Sequence, residues 1–123
     1  MKQISTDNAP AAIGPYSQAI ISGGLLYCSG QIPVEPATGI IPDGVRAQAE
    51  QAFNNLKNLI AAAGTSIDNT IKTTVFVKDM NDFAVINEIY AKYFTAPFPA
   101  RSCVEVARLP KDVLLEVEAI VEL

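Results

Sequence analysis

Ile71, Thr73, Val75 and Val77 alternate with Lys72, Thr74, Phe76 and Lys78, a period of two that predicts a strand with one predominantly buried face. On either side the period changes. Upstream, Val45, Ala49, Ala52, Phe53, Leu56, Leu59, Ile60 and Ala63 recur at helical spacing, with Asp43 placed to cap the helix and Gly64 to end it. Downstream, Phe83, Ile86, Tyr90, Tyr93 and Phe94 form a second helical stripe behind Asp79 and Asp82, which resemble a capping box. Asn87 lies close to that stripe, where a partly buried amide needs a partner, as a structural tie or as a ligand contact.

Shorter signals complete the pattern. Residues 1–17, punctuated by Pro10, Gly14 and Pro15, read as an irregular arm. Gln18–Ile21 and Leu25–Ser29 are β-type runs around Ser22-Gly23-Gly24, a hairpin signal. Gln31–Asp43, with Pro33, Pro36, Gly39 and Pro42, reads as a loop. A proline-containing connection, Thr95–Ala100, leads to two last strands, Ser102–Ala107 and Val113–Val121, joined through Leu109-Pro110-Lys111-Asp112. The order ββαβαββ is that of one α+β domain spanning residues 1–123. Right-handed crossovers would set both helices on one face of a single mixed sheet.

The other face of that sheet then needs an explanation. On the last strand Leu115, Val117, Ala119 and Val121 point one way, and Leu114, Glu116, Glu118, Ile120 and Glu122 the other. Leu114 and Ile120 are apolar on that second face, as is Phe76 if the registers align. A face of this composition is expected to be covered by another subunit.

Composition narrows the function by exclusion. Half the residues are apolar, and the net charge is −4 with no basic run, so a nucleic-acid backbone would meet repulsion. The apolar runs are too short for a membrane span, and no leader pattern opens the chain. Cys28 and Cys103 have no metal or redox spacing and read as free thiols in a reducing cytoplasm. There is no histidine, which excludes Ser-His-Asp and Cys-His pairs and imidazole metal ligands. Neither GxxxxGK[ST] nor GxGxxG occurs, so no nucleotide cradle, metal or cofactor is expected. An enzyme built this way works with carboxylate, guanidinium, phenol, hydroxyl and backbone groups.

Those groups concentrate in Phe98-Pro99-Ala100-Arg101-Ser102-Cys103-Val104-Glu105-Val106, followed ten residues later by Glu116 in an otherwise apolar strand. Prolines stiffen the backbone before Arg101 and would hold its guanidinium in place, as a carboxylate site requires. Glu116 could activate water against whatever the arginine holds. Arg101 also fits a structural ion pair, and Glu116 an ordinary exposed or interface charge. Arg101 and Cys103 share strand parity; whether Glu116 joins them depends on a register that a one-residue slip would reverse.

Ala9-Pro10, Gly14-Pro15-Tyr16-Ser17-Gln18-Ala19, Ser29-Gly30-Gln31-Ile32-Pro33, Val75-Phe76-Val77-Lys78-Asp79, Pro99 to Val106, and Leu109-Pro110-Lys111-Asp112 with Glu116 resemble the Rid (YjgF) family of reactive intermediate deaminases. The resemblance covers essentially the whole chain. It implies a chorismate-mutase-like α+β fold in a homotrimer, with helices outside, sheets packed at the centre and sites in the clefts between subunits. The implied reaction is hydrolysis of 2-imino acids, tautomers of enamines released by pyridoxal-phosphate enzymes acting on threonine or serine, to 2-oxo acids and ammonia, without a cofactor. Arg101 would grip the substrate carboxylate, the Cys103 backbone N–H would add a donor, and Glu116 would activate water. Tyr16 would pack against the substrate, and Ser29 and Gly30 would line the pocket with their backbone. The Thr95-Ala96-Pro97-Phe98 connection is shorter than in some members and bears on side-chain preference. Rival readings are a binder of 2-oxo acids without turnover, to which Glu116 would bring nothing, and a ribonuclease or translation inhibitor, which the acidic balance and absent histidine oppose.

Overall fold

Chain order and spatial order differ in one respect that shapes everything else: the last strand is inserted into the middle of the sheet. The computed structural model describes all 123 residues. The elements are β1 (Lys2–Ile4), β2 (Ala19–Ser22), β3 (Leu25–Gln31), α1 (Val45–Ala62), β4 (Thr70–Val77), α2 (Phe83–Tyr93), β5 (Ala100–Glu105) and β6 (Leu115–Glu122). Short 3₁₀ turns occupy Ile67–Asn69, Met80–Asp82 and Pro110–Asp112. One six-stranded mixed sheet has the order β1-β2-β3-β6-β4-β5. β6 runs antiparallel to both β3 and β4, so β3–α1–β4 is a parallel crossover stepping over β6; β4–α2–β5 is a second crossover in the same direction. Two crossovers of one hand moving one way must lay both helices on the same face. No helix is long and apolar enough to cross a membrane.

The alternation in β4 and β6 supplies that face. Thr73, Val75 and Val77 pair with Ala119, Val117 and Leu115, and all six are buried. They meet Phe53, Leu56, Leu59 and Ile60 of α1 and Ile86, Ile89 and Tyr90 of α2 in one apolar cluster. Phe53 is fully buried, its ring 5.6 Å from Tyr90 edge-on, 5.7 Å from Tyr93 and 6.3 Å from Phe94. Buried amides secure the loops. Asn55 on α1 donates through Nδ2 to the carbonyls of Ile32 (3.1 Å) and Val34 (2.9 Å), while its Oδ1 accepts from Gln51. Gln18 donates through Nε2 to the Thr6, Ala9 and Pro10 carbonyls and accepts at Oε1 from the Thr6 N–H, which pins the arm.

Four expectations need correction. Asp43 does not cap α1: the cap position is Gly44, with φ of 86° and no side-chain hydrogen bond, because the chain enters the helix through a left-handed residue. Ile71 is 44% exposed, because a bulge between Thr70 and Lys72 shifts the register and gives the buried place to Thr70. Asp79 and Asp82 form no capping box; Asp79 Oδ1 accepts from the Asn81 N–H and caps the 3₁₀ turn before α2. The arm is not wholly irregular, since β1 pairs with β2 through Lys2↔Ile21 and Ile4↔Ala19.

Asn55→Ala orphans two loop carbonyls in a buried setting and is expected to cost about 1–3 kcal/mol, read by urea denaturation. Faster amide exchange confined to residues 32–34 would accompany it.

Candidate functional site

Arg101 leaves β5 on the helix-bearing face, opposite Thr73. Its guanidinium carbon lies 4.7 Å from the Tyr90 ring centroid and 5.4 Å from that of Phe83. Nη1 donates to Asn87 Oδ1 at 2.6 Å. Phe83, Asn87 and Tyr90 stand at i, i+4 and i+7 on α2, so one helix face supplies both rings and the amide. Tyr90 is fixed in turn: its hydroxyl shares a 2.8 Å hydrogen bond with Thr73 Oγ1, and its ring lies 4.4 Å from Phe94. Arg101 has no acidic partner. The ion pairs of the chain are Arg46–Glu88, Lys92–Glu50 and Arg108–Asp112, which removes the structural ion pair as its reason. A stacked guanidinium with an unspent charge is prepared for a carboxylate. It opens on a cavity of about 630 Å³ walled by Ala84, Ala91, Phe98 and Pro99.

Cys103 follows on the same face, opposite Val75. Burial pushes its thiol upward, against the opposing effect of the Arg101 charge, so the thiolate is scarce at neutral pH. Its backbone is more useful. The Val106 N–H is spent inward on the Val77 carbonyl at 2.9 Å, and N–H directions alternate along a strand. The Cys103 N–H, three residues earlier on the edge strand, therefore points out of the sheet.

Glu116 is elsewhere. Its register partner is Phe76, which faces Val104 on β5, and that row belongs to the face without helices. There the carboxylate lies over Gly30. A Cβ at that position would overlap the Glu116 carboxyl group, so the glycine leaves the space that this orientation of the carboxylate occupies. Tyr16, Ser29, Gly30, Ile32, Pro110 and Glu118 complete a cavity of about 430 Å³ around it. Burial first, and the Glu118 charge second, hold the Glu116 carboxyl above the ordinary glutamate range. Tyr16 is half exposed, on an arm that Ser29 ties down by donating from Oγ to the Ser17 carbonyl at 2.6 Å.

The structure thus divides the candidate residues. Asn87, Arg101 and Cys103 gather on one face; Tyr16, Ser29, Gly30 and Glu116 gather on the other, and no single-chain cleft contains both sets. Sequence reasoning missed Phe83 and Tyr90, whose helical spacing read as core. Their signal was Asn87 between them, a polar residue on the face that meets Arg101. Pro110 beside Glu116 carried no signal beyond its motif.

A carboxyl group raised in the folded state contributes stability that is whole below about pH 4 and lost as pH rises through its folded value. Glu116→Gln is therefore expected to melt above the wild type at pH 7 and to lose that advantage below about pH 4. Identical melting differences at both pH values would show a solvated carboxylate.

Comparison with known proteins places this arrangement among close relatives. A family model described as Endoribonuclease L-PSP matches residues 6–123. The chain is 58% identical over 122 residues to the 2-iminobutanoate/2-iminopropanoate deaminase of Escherichia coli K12, covering 97% of this chain and 95% of that protein. It is 56% identical over 118 residues to a RutC family protein of Pyrococcus horikoshii, covering 95% and 94%. Among solved structures, Escherichia coli TdcF with bound serine superposes with a TM-score of 0.95 at 51% identity, covering 100% of this chain and 99% of that one. The Escherichia coli YjgF gene product gives 0.93 at 54% identity, covering 99% and 98%.

Proposed function

This chain belongs to the Endoribonuclease L-PSP family, the Rid (YjgF) proteins, and from that premise we propose that it hydrolyses reactive 2-imino acids to 2-oxo acids and ammonia, in clefts formed between the subunits of a homotrimer. The observation that carries the reading is the split of chemistry across the sheet. One face holds a stacked guanidinium with no counter-ion, and the other a desolvated carboxylate with no cation. Each is half of a site, and only a second copy can bring the halves together.

In such a cleft Arg101 of one subunit takes the substrate carboxylate through two N–H groups, with the outward Cys103 N–H as a further donor. Asn87 holds the guanidinium in plane. The neighbour presents Glu116 with Tyr16 against the substrate body and the Ser29–Gly30 backbone as wall. Glu116, kept basic by burial, removes a proton from water as its oxygen adds to the C=N carbon. Glu116 returns that proton to nitrogen and then takes the hydroxyl proton as the C–N bond breaks and the C=O forms, so that the 2-oxo acid leaves and ammonia departs carrying the proton as ammonium. An iminium carbon is already electrophilic, so positioning and one general base suffice; the base is worth about 10²–10⁴-fold. The serine held by TdcF is a ligand with the carboxylate that Arg101 would take. A pure carboxylate binder would not place an acid in the same cleft.

Arg101→Ala and Glu116→Gln are each expected to lower turnover about 10²–10⁴-fold, measured by making the imine in place with a threonine dehydratase and following diversion from semicarbazide to 2-oxobutanoate. Co-assembled from equal amounts of the two variants, mixed trimers should recover about a quarter of wild-type activity, because that share of clefts draws both intact residues from different subunits. No recovery, with subunit exchange verified by native mass spectrometry, would sink the shared cleft.

A further inference from the structure

Thr73 is fully buried on β4 beside Val75 and Ala119, and its Oγ1 shares a 2.8 Å hydrogen bond with the hydroxyl of Tyr90, itself buried. Valine has the shape of threonine, and a Val–Phe pair would fill the same space. Replacing both partners of a buried hydrogen bond by apolar groups of like shape is close to neutral for stability, so packing alone does not account for the two hydroxyls. The bond does fix where the tyrosine ring lies. Phe94 packs on that ring at 4.4 Å and 32°, and Phe53 meets it edge-on at 5.6 Å and 85°. The Arg101 guanidinium rests over it at 4.7 Å. Thr73 is also the register partner of Arg101 on β5, so the contacts close a loop. They run from the guanidinium to the ring, through the hydroxyl to Thr73, and across the ladder back to Arg101. Burial raises the Tyr90 phenol above its ordinary range, against the Thr73 hydrogen bond and the Arg101 charge, so the hydroxyl stays neutral at pH 7. A buried neutral hydroxyl needs a partner.

We propose, on the reading of Arg101 as the carboxylate clamp, that Thr73 and Tyr90 are positioning residues whose buried hydroxyl pair sets how tightly the site holds a carboxylate. Both act through Arg101. A ring face attracts the cation without neutralising it, so the charge remains for the ligand. The hydroxyl pair then decides where that face stands. Without Thr73 Oγ1, the tyrosine hydroxyl must turn toward water, and the opening it lines is the cavity of about 630 Å³ that Arg101 also lines. A ring turned that way displaces the guanidinium it carries. A grip made alike in the ground state and the transition state acts on KM and leaves kcat alone.

The probe is 2-oxobutanoate, titrated calorimetrically into the intact protein, where it reports the carboxylate grip without turnover. Thr73→Val should weaken it about fivefold to tenfold. Tyr90→Leu, which removes the ring face, should weaken it about tenfold or more. Adding Tyr90→Phe to Thr73→Val should restore the affinity to within about twofold of wild type, because the ring then carries no hydroxyl to satisfy. In the semicarbazide assay KM for the imine should rise in the same order while kcat stays within about threefold. Thr73→Val is the smaller change and decides the matter should Tyr90→Leu not fold. No binding by the wild type, affinity unmoved by Thr73→Val, no rescue in the double variant, or a loss confined to melting temperature would overturn the positioning role. A wild type that hydrolyses imines but shows no such pattern would leave the deaminase standing without this pair. A protein that binds 2-oxobutanoate with the full pattern yet hydrolyses no imine would refute the deaminase reading and leave the pair's role intact.

Discussion

Because successive side chains of a strand leave on opposite faces, pairing Thr73 with Arg101 and Phe76 with Glu116 commits a guanidinium and a carboxylate to opposite sides of one sheet. No rotamer change reverses that, since the sheet lies between them. A slip of one residue in β5 would carry Arg101 to the other face, but it would also expel Cys103 from beside Val75 and break the guanidinium's contacts with Tyr90, Phe83 and Asn87. The packing that stabilises the register is therefore what keeps the two groups on separate faces of the chain.

Each half keeps its charge by a different means. Arg101 is held by ring faces and a neutral amide, interactions that fix a cation without neutralising it. Glu116 is held by loss of water, with a glycine beneath it and a second acid on the same strand face, so its proton affinity rises instead of being satisfied. Had each half contained its own counter-ion, both would be quiet surface ion pairs of small worth, as Arg46–Glu88 and Lys92–Glu50 are. Leaving both unpaired would make the two faces electrostatically complementary in the proposed assembly.

Periodicity carried most of the fold, and its failures have local causes. The β4 alternation and the α1 and α2 stripes were legible because burial on one face imposes them. Ile71 misled because a bulge breaks parity without any compositional mark, and Asp43 misled because Gly44 could enter the helix from a left-handed angle that removed the need for a side-chain cap. β1 was hidden because only Ile4 of its three residues is buried. The candidate site residues were legible as chemistry and illegible as geometry. Arg101 and Glu116 stood out by type and setting, whereas their faces depend on which strands neighbour β4, and the late insertion of β6 is a long-range fact. Phe83 and Tyr90 were seen as core; one face of a helix can serve the core with part of each ring and a guanidinium with the rest.

The Lys111 turn extends the same logic from side chains to backbone. A left-handed lysine followed by a left-handed aspartate survives only where neighbours over-determine it, and here the clamps come from α1 through Gln48, from the end of β4 through Lys78 and from within the turn through Arg108. Those clamps also fix where β6 begins, hence where Glu116 falls over Gly30. The turn thus sets the register of the strand that carries Glu116. A backbone that could relax would loosen that register, so rigidity at a non-glycine position is what holds the carboxylate in place.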